Sequence, residues 1–218
     1  LIRLAPEVPA RLVLSGALYG VSAMDAPFYA EFSTRSNFSF LEGASHPEEL
    51  AVSAMRLGHG ALGLADRNTV AGVVRAHMAA KEANLAYHPG ARLVFSDGTP
   101  DITAYPRDRT AWGRLCRLLT TGNLRGEKGA ADVWLEDVLE WGEGLNLAIM
   151  AGTGAAPDEI ASVRLEPVQA LRAAFGKAVR LAAAPGFSVS DRHWLEMAAA
   201  DAQACGVPLM AVGNVTCH

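Results

Sequence analysis

The sequence predicts an α/β fold in a single domain, and three observations predict it. Short apolar runs alternate with longer amphipathic stretches along the chain, which is the pattern of βα units and not of a sandwich or a helical bundle. Of the 218 residues, half are hydrophobic and only 19% are charged, enough to bury one substantial core and too apolar for a disordered tail. Glycine and proline gather between the apolar runs: His88–Gly90, Ser96–Pro100, Gly152–Pro157 and Pro185–Gly186 read as loops. The alternation alone does not separate a barrel of parallel strands from a doubly wound sheet. In either, a site would lie at the carboxyl ends of the strands.

Seven strands are expected, at Phe28–Ser33, Ala61–Ala65, Ala91–Phe95, Ile102–Tyr105, Leu145–Met150, Ala178–Ala183 and Pro208–Val212. Ser45 or His46 caps a helix that opens with Pro47 and carries Glu48 and Glu49 in its first turn, where the helix dipole favours negative charge. Leu50, Ala54 and Leu57 fall on one face of it, and Gly58 ends it. A second helix, Val70–Ala83, places Val70, Val73, Val74, His77 and Met78 at helical spacing. A third, Asp108–Thr120, does the same with Trp112, Leu115, Cys116 and Leu119, and the last long helix, Asp191–Cys205, stops at Gly206.

Net charge is −4 and the isoelectric point about 5.9, so no global attraction draws the chain to phosphate backbones. Arg107, Arg109, Arg114, Arg117, Arg125 and Lys128 form the strongest local basic group and are read as a solvated helix face with a basic turn. Cys116, Cys205 and Cys217 are too few and too scattered for a disulfide framework, which suits a reducing cytoplasm. The apolar run Leu12–Ala23 behind Arg3 and Arg11 faintly resembles a signal peptide but is too short to span a membrane.

The stretch RSNFSFLEGASHPEEL (Arg35–Leu50), taken with LGLADRNTVAGVVRAH (Leu62–His77), resembles the opening of the PHP (polymerase and histidinol phosphatase) domain of bacterial DNA polymerase III alpha subunits. The wording is nearest to the error-prone, damage-associated branch, and AYPRDRTAWGRLCRLLTTGNLRGEKG, ending at Gly129, resembles that branch as well. The resemblance implies a PHP-type distorted (β/α)7 barrel over residues 28–218. Residues 1–27 are left as an unassigned N-terminal extension, in which Met24 is the expected natural start.

Active members of that family hold divalent metals with His, Asp and Glu ligands and hydrolyse phosphoesters, the metals lowering the pKa of bound water and neutralising charge on phosphate oxygens. Alignment on the family's motifs implies that Ser33 and Arg35 stand at a His-x-His pair. Asp66-Arg67 stands at an Asp-His pair, Arg92 at a glutamate, and Asn214 and Thr216 at an acidic residue and a histidine. Serine and arginine suit none of these roles, since arginine has no lone pair to give. The residual ligand candidates are Asp66 and His218, with no metal expected. Asp66 is read as a charge paired with Arg67 or Arg92 that keeps the old site closed. His46, His59, His77, His88 and His193 make no pair at ligand spacing, and no nucleophile elbow or Walker loop occurs.

The resemblance therefore implies a PHP-like domain with a degenerate metal site and a structural role, part of an error-prone DNA polymerase III alpha subunit that is a DNA-directed DNA polymerase in damage tolerance. No cofactor is expected in this domain, and Mg²⁺ belongs to a polymerase module of the parent that this chain lacks. Its expected partners are that module, DNA through the parent, and other replication or mutagenesis proteins, with no membrane. Two alternatives remain open, a metal-dependent phosphoesterase or 3′ to 5′ exonuclease and a stand-alone interaction module.

Overall fold

A computed structural model describes residues 29–151, 163–185 and 191–217. The extension 1–27, Phe28, the Gly152–Pro157 loop, Gly186 and His218 lie outside the described residues.

Seven strands form one curled sheet in chain order: β1 (Ala30–Thr34), β2 (Ala61–Arg67), β3 (Ala86–Leu93), β4 (Ile102–Pro106), β5 (Leu145–Met150), β6 (Val179–Ala183) and β7 (Leu209–Ala211). The helices are α1 (Pro47–Arg56), α2 (Val73–Glu82), α3 (Arg109–Arg125), α4 (Leu135–Trp141), α5 (Leu165–Phe175) and α6 (Asp191–Cys205). The α/β barrel expectation holds with one correction, because the strands are not all parallel. β4 runs antiparallel to both β3 and β5, since only the eight residues 94–101 join it to β3, too few for a helical crossover. Among the described residues no pairing joins β7 to β1, and the segment after β7 reaches the turn after β1 instead. There the Arg35 amide donates to the Val215 carbonyl (2.9 Å) and the Ala44 amide to the Thr216 carbonyl (2.8 Å).

Strand alternation sorts the core. On β5, Leu145, Leu147 and Ile149 pack outward with Leu115 and Leu118 of α3, Leu171 of α5 and Ala198 of α6. Ala148 and Met150 face the other way, into the interior with Ala182, Val212 and Phe32. Leu62 and Leu64 of β2 pack against Leu50, Ala51 and Ala54 of α1 and Ala76 and Ala80 of α2.

Three further expectations change. His88–Gly90 is strand, not loop, and lies within β3. Residues 86–90 pair with β2 alone, so Pro89 sits beyond the reach of β4, on an edge where its missing N–H is tolerated. Gly90 lies against the Tyr105 ring, where a Cβ would stand 2.5 Å from it. On α2 the buried face belongs to Ala76 and Ala80, while Val74 and Met78 are exposed. The close approach of α1 and α2 to β2 admits small side chains and turns the larger ones outward. Two helices, α4 and α5, have no counterpart among the expected elements. α4 has only two turns, too few to display a repeat.

Candidate functional site

The carboxyl ends of β1, β2 and β3, the amino end of the reversed β4 and the segment after β7 converge on one rim. The residues expected there arrive together, but in two separate networks.

The first surrounds Asp66, which is buried. Its Oδ1 accepts from the Ser36 amide and the Ser39 hydroxyl, both at 2.7 Å, and its Oδ2 from the Ser36 hydroxyl at 2.8 Å. The Ser39 hydroxyl oxygen in turn accepts from the Arg67 amide (3.0 Å). This overturns the expected pairing of Asp66 with Arg67 or Arg92, and the pleat is the reason. Asp66 is in register with Ala91, on the outward face shared with Leu64. Arg67 is in register with Arg92, on the opposite face. The carboxylate therefore fixes the turn after β1 and leaves the arginines to other partners.

The second network centres on Asn214, held at φ 51°, in the left-handed region that asparagine tolerates. Its side-chain oxygen accepts from Arg92 Nη1 (2.8 Å), Arg35 Nη2 (3.2 Å) and the Ser33 hydroxyl (3.4 Å). Arg92 is only 4% exposed and pairs through Nε with Asp101 at 2.8 Å; the antiparallel course of β4 is what brings Asp101 to this rim. Arg35, 13% exposed, pairs through Nη1 with Glu42 at 2.8 Å, and the half-exposed Arg67 pairs with the other oxygen of Glu42. Burial works to raise the Glu42 carboxyl, but hydrogen bonds from Arg67 and then Arg35 outweigh it and hold it below the usual carboxylate range. Thr216 enters through its backbone carbonyl, and His218 lies outside the described residues.

A fourth carboxylate, Glu31, is not singled out by the sequence. It is buried at the seam and accepts from the Tyr29 hydroxyl (2.5 Å), the Ser33 amide (2.7 Å) and the Gly213 amide (2.6 Å), joining β1 to the exit of β7. Burial pushes the Tyr29 phenol upward and Glu31 adds to the shift. Burial pulls the nearby His59 down. Ser36, Ser39, Glu42 and Asp101 escape sequence reasoning too; the first three sit inside the SNFSFLEG turn, whose polar residues carry no role until Asp66 is placed beneath them.

These donors do not fit a metal. Asp66 spends its lone pairs on serine and amide donors, the arginines offer none, and among the described residues no group of three His, Cys, Asp or Glu side chains could hold a metal ion. His193 is exposed on α6. The basic group on α3 is largely engaged locally: Arg114 with Glu143, Arg125 with Asp137, Arg107 with the Gly144 carbonyl and Arg117 over the Trp141 ring.

The family model of the PHP domain matches residues 31–187. The chain belongs to the PHP domain family. It is 53% identical over 192 residues to an error-prone DNA polymerase of Mesorhizobium japonicum and 47% identical over 190 residues to error-prone DNA polymerase 1 of Rhizobium meliloti. In both cases 87% of this chain is covered, and the chain spans about 17% of the relative's length. Among solved structures, this PHP domain resembles one described as a metal-dependent phosphoesterase of Bifidobacterium adolescentis, at TM-score 0.63 and 14% identity over 87% of this chain and 88% of the other. It also resembles an amidohydrolase of Chromobacterium violaceum, at TM-score 0.60 and 18% identity over 86% and 87%. At those identities the likeness concerns the fold.

Proposed function

We propose that this chain is the N-terminal PHP domain of an error-prone DNA polymerase and serves there as a metal-free structural element. The observation that carries the reading is the pairing of 53% identity to such a polymerase with guanidinium groups where a hydrolytic PHP domain needs metal ligands. The parent is read as a nucleotidyltransferase that copies damaged DNA in repair and translesion synthesis. It works in the cytoplasm with Mg²⁺ in a polymerase module outside this chain, and with other replication or mutagenesis proteins as partners. Among the described residues no helix is long and apolar enough to cross a membrane.

The rival reading is a metal-dependent phosphoesterase or exonuclease. Elemental analysis of the dialysed chain, run beside 3′ to 5′ exonuclease and phosphoesterase assays with Mn²⁺ and Zn²⁺ present, separates the two. The expected result is no stoichiometric metal and no hydrolysis. Two or more tightly held metals per chain, with activity that a chelator abolishes, would overturn the structural reading.

A further inference from the structure

Two arginines set α3 and α4 side by side and antiparallel. Arg125, at the end of α3, grips Asp137 in the first turn of α4, and Arg114, nearer the start of α3, pairs with Glu143 just beyond the other end of α4. The rest of the face that the two helices share is unpaired. Arg117 and Leu124 stand on one outward stripe of α3, opposite the buried Leu115 and Leu118, and on α4 the exposed residues are Glu136, Leu139 and Glu140. Lys128 follows in the turn between the helices, at the Glu136 end. Arg117, Lys128, Glu136 and Glu140 make no ion pair among the described residues. Arg117 lies over the Trp141 ring, 5.8 Å from its centroid, a contact through the charge that uses none of its N–H donors. Leu124 is 82% exposed beside these charges.

We propose that this face binds a second copy of the chain in a weak, symmetric dimer. The free cations lie on the α3 side and the free acids on the α4 side, so the face is complementary to itself after a half-turn. A two-fold axis that runs between the helices, parallel to them, lays α3 of one copy over α4 of the other and keeps positions along the helices in step. Because Arg117 lies at the level of Trp141, it then meets the partner's Glu140. Lys128 comes to the partner's Glu136, and Leu124 is covered on the side of the partner's Leu139. The exposed acids of α4 argue against a phosphate backbone on the same face, since they would repel it. Arithmetic sets the strength. The 17 residues of α3 make it about 25 Å long, and two neighbouring helices present a strip roughly 20 Å wide, so each copy covers about 500 Å² and the contact lies at the lower limit for a specific interface. The inference is independent of how the rim is read.

Sedimentation equilibrium of the 218-residue chain, from about 10 μM to about 1 mM, is the measurement. The wild type should pass from monomer to dimer over that range, and less readily in about 0.5 M sodium chloride, which screens the exposed charges. Arg117→Glu and Glu140→Arg should each weaken association roughly tenfold, because symmetry repeats each reversed charge at two contacts. The two single variants mixed in equal amounts should associate as the wild type does, and so should the chain that carries both changes. Leu124→Glu should weaken association as well. All of these side chains are exposed, so the melting temperatures of the monomers should stay within about 2 °C of the wild type, and that reads the fold separately from the contact.

A wild-type chain that stays monomeric throughout would overturn the proposal. So would single variants that dimerise unchanged, or that fail to rescue each other on mixing. Self-association abolished by Phe40→Ser with Leu41→Ser but kept in Arg117→Glu would place the contact on the turn after β1 and overturn it too. Binding of a single-stranded oligonucleotide through Arg117 by a chain that remains monomeric would give the face to nucleic acid instead.

Discussion

A buried carboxylate takes the donors that its own face of the sheet presents, and at Asp66 these are an amide and two hydroxyls of one turn. Removing the carboxylate leaves the Ser36 amide and two buried hydroxyls without an acceptor, so Asp66→Ala should destabilise the chain by about 3 kcal/mol or more. Ser39→Ala should be strongly non-additive with it, because the two share a bond, with a coupling of roughly 1 to 3 kcal/mol. Arg92→Ala should add to it within about 0.5 kcal/mol, because the two side chains share no partner. Denaturant melts of the single and double variants measure both couplings. A coupling above about 1 kcal/mol between Asp66 and Arg92 would mean that the networks are not separate. At this scale the sequence reads well for which residues reach the rim and poorly for who meets whom. Asp66 and Arg67 are neighbours in the chain, and one step along a strand sends them to opposite faces. Asp101 is illegible for another reason, since it reaches Arg92 only because β4 runs backwards.

Between α3 and α4, beside the apolar packing, an ion pair joins Arg125 to one acid. Asp137, in the first turn of α4, accepts from the Trp134 amide at 2.9 Å and receives the fork of Arg125, from the end of α3, at 2.8 and 2.7 Å. Arg125 also lies over the Trp134 ring, 4.5 Å from its centroid. The Arg125 fork holds the Asp137 carboxyl below its usual range, with burial opposing and the Trp134 amide assisting. A depressed folded-state value favours the folded form wherever the carboxylate is ionised. The stabilisation is therefore complete above the unfolded value of about 4 and lost as the pH falls through the lower folded value. Asp137→Asn should accordingly lower stability at pH 7 and change it little near pH 2, so the two stability curves converge on acidification. Parallel curves across pH 2–7, followed by urea melts, would show that the pair contributes nothing. The strands are legible because their apolar runs are long enough to alternate, whereas α2 is read from its largest apolar residues. There the buried positions are alanines, chosen by the distance between backbones, which periodicity weighted toward bulk does not see.

Over the whole molecule, the rim is a network of arginines and polar side chains, whereas the core is apolar and closely packed. The core still joins the sheet to the helices packed around it, and the turn above the rim is locked. Ser39 receives two backbone bonds and gives one to Ser36, and Gly43 lies so close that a Cβ would meet the Ser36 carbonyl oxygen at 2.0 Å. That rigid turn holds Leu41 at φ 61°, a conformation costing about 1 kcal/mol or more for a bulky residue. It leaves Phe40 81% and Leu41 90% exposed. On the proposed reading, a domain that keeps its packing and spends strain on an exposed apolar turn would serve as a platform for the rest of a longer chain. Excising it from the parent polymerase should then lower the melting temperature and soluble yield of what remains, along with primer extension. Phe40→Ser with Leu41→Ser should leave the isolated chain within about 0.5 kcal/mol of its original stability, since exposed side chains contribute little there. The same pair of changes should lower the melting temperature of the parent. Calorimetry of the isolated chain, the intact parent and the excised parent provides the comparison. An excised polymerase that melts and extends primers like the intact one would leave this domain without the supporting role that its preserved core implies.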